Sequence, residues 1–145
     1  MVTSEVGLVT GPHDSCEFQP QNITNIAWAF ARLDIFDEPL LDAIAAAASA
    51  TISDFNSQNL ANTAWALATL GCVHIPLLDA ISAESIRKIS EFQPQELSNL
   101  AWAFAKLEMD DPPLLAAIAS AAITKIWDLN SQDLSNIAWA LATLG

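Results

Sequence analysis

Four tryptophans, Trp28, Trp65, Trp102 and Trp139, stand 37 residues apart, and each sits in the same polar spacing. Gln21, Asn25, Trp28 and Arg32 recur as Gln58, Asn62, Trp65 and Thr69, then as Gln95, Asn99, Trp102 and Lys106, then as Gln132, Asn136, Trp139 and Thr143. Steps of four, three and four residues place each set on one stripe of an α-helix. Such a stripe can act as a ligand surface: carboxamides hydrogen-bond base edges, indoles stack on bases, and Arg32 or Lys106 meets a phosphate. It can instead be an inter-repeat seam, with the amides in a ladder and the indoles packed between repeats. Packing is the favoured reading of the tryptophans, because large aromatics are generally buried. For the Gln and Asn residues the two readings stand level, since both satisfy an amide.

No other set of residues forms a reaction centre. His13, His74, Cys16 and Cys72 are the only histidines and cysteines. His13-x-x-Cys16 supplies two ligands where zinc needs at least three with a water. Asp110 and Asp111 are adjacent, so on a helix their side chains diverge, and a helix-start charge cluster explains them. There is no Gly-rich phosphate loop and no nucleophile elbow. The expectation is a protein that is not an enzyme, with no cofactor, no metal and no small-molecule substrate.

The elements that must position the stripe are themselves repeated. EFQPQNITNIAWAFARL, DFNSQNLANTAWALATL, EFQPQELSNLAWAFAKL and DLNSQDLSNIAWALATL are four versions of one segment. Between them lie EPLLDAIAAAA, IPLLDAISAES and PPLLAAIASAA. The first and third tryptophan segments pair most closely, as do the second and fourth, which implies duplication of a two-repeat cassette. Both segment types read as helices. Gln19, Asn56, Gln93 and Asn130 suit the N-caps of the tryptophan helices, Pro20 and Pro94 the first helical position, and Gly71 and Gly145 left-handed C-caps. The other helices are expected to start at Pro39, Pro76 and Pro113.

Ile23, Ile26, Ala27, Phe30 and Leu33 form the core side of the tryptophan helix; Leu40, Leu41, Ile44, Ala48 and Ile52 form that of the other type. Small residues such as Ala29 and Ala31 flank the polar stripe and allow close helix approach. No single hairpin can bury its apolar side, so the repeats must stack. The predicted fold is all-α, an α-solenoid of helix-turn-helix repeats with about seven helices over residues 17–145. Residues 1–16 fall outside the repeat and read as an arm or cap. Ile123 and Trp127, on the outward side of the last non-tryptophan helix, mark a candidate protein interface.

Composition narrows the ligand. With 17 Asp+Glu against 5 Lys+Arg the formal charge is −12, which excludes an ordinary basic nucleic-acid binder but not a local basic stripe. The acids gather at helix junctions, whereas Arg32 and Lys106 share one repeat position and Lys88 and Lys125 another. That placement leaves room for a positive stripe. Two distant cysteines make no disulfide framework, so a reducing compartment is the default. The uncharged run from Phe55 to Leu78 is rich in Asn, Ser and Gln, with Pro76 near its end, so it is not read as a membrane span. The start shows neither a signal peptide nor an Arg-rich transit peptide.

FQPQELSNLAWAFAKL and FNSQNLANTAWALATLG, with PPLLAAIASAA ahead of the last copy, resemble octotricopeptide repeats, two-helix units of about 38 residues. The resemblance spans residues 17–145 in four in-register copies. It implies an RNA-binding α-solenoid of chloroplasts or mitochondria, acting on single-stranded RNA in maturation, stability or translation. Arrays of this kind also serve as protein–protein scaffolds or accessory subunits of large organellar assemblies.

Overall fold

Proline and short polar side chains open the helices, and the openings repeat with the sequence. The computed structural model describes residues 19–145. Seven α-helices follow one another: α1 (Pro20–Leu33), α2 (Glu38–Ala50), α3 (Ser57–Leu70), α4 (Ile75–Arg87), α5 (Pro94–Lys106), α6 (Pro112–Thr124) and α7 (Ser131–Leu144). Short 3-10 turns, Ile52–Asp54, Ile89–Glu91 and Ile126–Asp128, follow the even-numbered helices. No strand occurs among the described residues, and the all-α expectation holds. The expected 1–16 arm lies outside the described residues.

The caps explain the boundaries. Asn56 accepts from the Asn59 N–H at 2.7 Å, and Asn59 Oδ1 accepts from the Asn56 N–H at 3.1 Å. This reciprocal box satisfies two helix-start donors at once. Asn130 and Asp133 repeat it. At Gln19 and Gln93 the return bond forms, to Asn22 Oδ1 at 3.1 Å and to Glu96 Oε1 at 2.9 Å. The even helices begin one residue before the expected prolines, because Asp37, His74 and Asp111 cap them by accepting from Leu40, Leu77 and Leu114 N–H, each at 3.1 Å. The prolines therefore occupy the second helical position. At the other end of the tryptophan helices, Gly71 is left-handed with φ 69°, as expected. Asp34 (φ 56°) and Glu108 (φ 58°) take the same conformation without glycine's freedom, at a cost of roughly 1–2 kcal/mol each.

Two layers result. The odd helices stack α1 on α3, α3 on α5 and α5 on α7, and the even helices stack α2 on α4 and α4 on α6. Alanines line the odd-layer seam: Ala27, Ala31 and Ala66 form one buried cluster, and Ala68, Ala103, Ala105 and Ala140 are also buried. Small side chains let these backbones approach closely, as their flanking positions predicted. Between the layers lies the main core, with Leu60, Leu77, Leu78, Ile81, Phe92, Leu97, Leu100, Phe104, Leu114 and Ile118. The expected core faces hold in the inner repeats. They fail in part at the first repeat, where Leu33 and Leu40 are exposed and Ile26 and Phe30 only half-buried. No described helix packs on the outer side of α1 and α2, whereas Leu77, the counterpart of Leu40, is fully buried.

Two buried side-chain hydroxyls, those of Ser49 and Ser85, have no partner among the described residues, and Ser85 is the one buried as a whole residue. The Ser85 hydroxyl is buried and makes no hydrogen bond, and its counterparts one repeat away are Ala48 and Ala122. An unpaired buried hydroxyl costs about 1–3 kcal/mol of desolvation. Ser85→Ala is therefore expected to stabilise the chain by about 1 kcal/mol, read as a raised urea midpoint with an unchanged slope. An unchanged or lowered midpoint would contradict that account.

Candidate nucleic-acid interface

The stripe lies on the face of the odd layer that the core does not use. Gln21, Gln58, Gln95 and Gln132 are all exposed; Asn25 is exposed, and Asn62, Asn99 and Asn136 are half-buried. Trp28 is 42% and Trp139 46% exposed, while Trp65 and Trp102 are half-buried. None of the four indoles is sealed in the core. Each packs only in part: Trp65 against the Ala27, Ala31 and Ala66 cluster, Trp102 against the main core. The packing expectation for the tryptophans thus accounts for only part of each ring, and the remainder faces solvent in register across four helices.

The amides show both behaviours. Gln21 Nε2 donates to Asn25 Oδ1 at 2.8 Å and Gln132 Nε2 donates to Asn136 Oδ1 at 3.0 Å, within their own helices. Across the seam, Asn59 Nδ2 donates to Gln21 Oε1 at 3.2 Å, and Asn136 Nδ2 donates to Ser98 Oγ at 3.0 Å. The Thr24 and Thr63 hydroxyls meet at 3.2 Å in the same seam. Gln58, Asn62, Gln95 and Asn99 make no side-chain hydrogen bond to another described side chain, so the middle repeats present the freest amides. Asn59, Ser98, Thr24 and Thr63 were not legible as seam residues. Asn59 also closes the α3 capping box, and the hydroxyls sit one position from the stripe.

The bases divide between two jobs. Arg32 and Lys106 are exposed at the ends of α1 and α5, and the Arg32 guanidinium lies 5.0 Å from the centre of the Trp28 ring, within cation–π range. Lys88 and Lys125 do not join them. Lys88 Nζ donates to the carbonyls of Ser53 (2.9 Å) and Phe55 (2.6 Å), and Lys125 Nζ to that of Ser90 (3.1 Å). These lysines tie the ends of α4 and α6 to the turn of the preceding repeat. The anticipated positive stripe is therefore reduced to Arg32 and Lys106. The shared repeat position of Lys88 and Lys125 reflects a clamp onto backbone carbonyls of the turn one repeat earlier.

Arg87 and Lys88 also flank Glu84, with Nε–Oε1 at 3.0 Å and Nζ–Oε2 at 3.4 Å. The Arg87 hydrogen bond, ahead of that from Lys88, holds the Glu84 carboxyl below the usual carboxylate range. A lowered folded-state pKa contributes stability that is complete above the unfolded value, about 4.3. That contribution is lost as pH falls through the folded value. Glu84→Gln is expected to lower the melting temperature at pH 7 and to make its decline below about pH 4 shallower. Parallel acid limbs in the two proteins would refute this.

The remaining candidates sort out simply. His74 and Asp111 are helix caps, and Asp111 also accepts from the Ser82 hydroxyl. Burial, with the Asp42 and Glu38 carboxylates adding to it, pushes the half-buried Cys72 thiol up. His13 and Cys16 lie outside the described residues. Among the described residues, no three His, Cys, Asp or Glu side chains gather as metal ligands, and no helix is long and apolar enough to cross a membrane. Ile123 is 73% and Trp127 94% exposed, and no described residue covers them.

A comparison with individually curated proteins finds no match. A family model described as the RNA-editing substrate-binding complex 6 protein matches residues 13–145. With that match running over the whole repeat array, the chain belongs to the RNA-editing substrate-binding complex 6 protein family.

Proposed function

We propose that the chain binds single-stranded RNA along the odd-helix stripe and does so as a non-catalytic subunit of an RNA-handling assembly. One observation carries the reading: four indoles, each at least partly exposed, recur beside four exposed Gln side chains at one repeating position, in a family named for binding an RNA substrate. Bases stack on the exposed indole faces, the free amides of the middle repeats hydrogen-bond base edges, and Arg32 and Lys106 meet phosphates. The resemblance to octotricopeptide repeats supports a site of action in a chloroplast or mitochondrion, in RNA maturation, stability or translation.

The test is retention of a labelled single-stranded RNA at low salt. Arg32→Ala with Lys106→Ala is expected to weaken binding and reduce the log–log salt slope by about 1.4, the value for two phosphate contacts on a single strand. If the unaltered protein retains no RNA even at low salt, the reading fails. A second reading, a protein–protein scaffold within the assembly, is favoured by the exposure of Ile123 and Trp127 and by a stripe with only two bases. It predicts a protein partner that co-purifies after nuclease treatment; a lone monomer after gentle isolation would count against it.

A further inference from the structure

The three even helices are copies of one another, so a side chain missing from one copy can be recognised from the others. Counting 37 residues forward, Glu84, Arg87 and Lys88 of α4 correspond to Ala121, Thr124 and Lys125 of α6. In the α4 copy the ammonium of Lys88 has the Glu84 carboxylate at 3.4 Å as well as the carbonyls of Ser53 and Phe55. In the α6 copy Lys125 keeps only the Ser90 carbonyl at 3.1 Å. No described carboxylate pairs with it. Where Glu84 and Arg87 stand in the α4 copy, the α6 copy opens a cleft of about 430 Å³.

That cleft is built like a ligand site. Ile89, Ala117 and Ala121 give it apolar walls, Ser120 and Thr124 carry hydroxyls at its edge, and Lys125 supplies one cation. The Thr124 hydroxyl donates its one proton to the Ser120 carbonyl at 3.1 Å, whereas the Lys125 ammonium uses one of its three donors on the Ser90 carbonyl and keeps its charge and two donors for an anion. A mostly apolar cleft of this size with one charged group is typical of small-molecule sites.

We infer that the cleft between α6 and the Ile89–Glu91 turn binds an aliphatic carboxylate, whose anionic head takes beside Lys125 the place that Glu84 occupies beside Lys88. The apolar stem lies against Ile89, Ala117 and Ala121. The ligand is a free short-chain acid or the side chain of an acidic residue in a polypeptide. The site is on the even layer, away from the stripe, so its fate is independent of the RNA reading.

The test follows the backbone amide resonances of Ser90, Ala121 and Lys125 in the whole chain. The titrants are hexanoate, hexan-1-ol and an alanine-based peptide with one Glu, beside its Gln twin. Hexanoate is expected to bind about fivefold to tenfold more tightly than hexan-1-ol, the margin of one charge-assisted bond at a half-buried lysine. Ala121→Glu returns a carboxylate to the Glu84 position and is expected to abolish the response without lowering the melting temperature; Lys125→Ala should abolish it too. A response to hexanoate alone assigns a free acid, and a preference for the Glu peptide over its Gln twin assigns a polypeptide source. Either result supports the inference. Equal binding of hexanoate and hexan-1-ol, an unchanged response in the folded Ala121→Glu protein, or no response from either carboxylate overturns it.

Discussion

A chain carrying Trp65→Leu and Trp102→Leu is expected to bind single-stranded RNA at least about thirtyfold more weakly than the unaltered chain, with little change in melting temperature. The size follows from stacking: each base on an aromatic face is worth about 1–3 kcal/mol, so two such losses cost about 2–6 kcal/mol. Leucine is the informative replacement because these two rings also pack. Trp65 lies on the alanine seam and Trp102 on the main core. Leucine retains much of that apolar contact but offers no π-face. Should the inner pair unsettle the fold, Trp28→Ala with Trp139→Ala removes the two most exposed indoles of the stripe instead. RNA affinity unchanged in both folded variants would sink the stripe as the RNA surface.

The repeat made most of this architecture readable. Proline and amide residues at fixed intervals set the helix starts, and the 3.6-residue period separated the core face from the stripe. Two features were hidden for physical reasons. First, the depth of the indoles depends on how closely neighbouring helices approach. The alanines permit that closeness, but a single helix pattern does not determine it. Second, a lysine at a repeated position has the same sequence signature whether it points to a phosphate or to a neighbouring carbonyl. Lys88 and Lys125 point to carbonyls, at a distance of 33–35 residues in the chain. Thr24, Thr63 and Ser98 were hidden likewise, since their partners lie one repeat away. The same periodicity that obscured those partners exposes differences between copies, which is how the loss of a carboxylate beside Lys125 can be recognised.

Phe92→Ala is expected to be the most disruptive single change, lowering stability by about 3–5 kcal/mol. Phe92 is fully buried just after the Ile89–Glu91 turn, where an even helix hands over to the next odd one, and Phe55 is its buried counterpart one repeat earlier. In the next copy the position is Leu129, half-buried near the end of the array. The ring therefore fills a space that each internal junction requires, between the two layers. A domain of this size holds about 5–15 kcal/mol in all, so the loss is a large fraction of the total, about 10–20 °C in melting temperature. Stacked repeats draw their stability from interfaces with immediate neighbours. The damage should thus spread to α4, α5 and α6 together, and amide exchange should accelerate across those helices before α1. Phe92→Leu copies the residue already tolerated at Leu129 and is expected to cost about 1.5 kcal/mol or less. If the alanine and leucine variants melt together, the ring is not the junction's filler, and the two layers must be held chiefly by the helix seams.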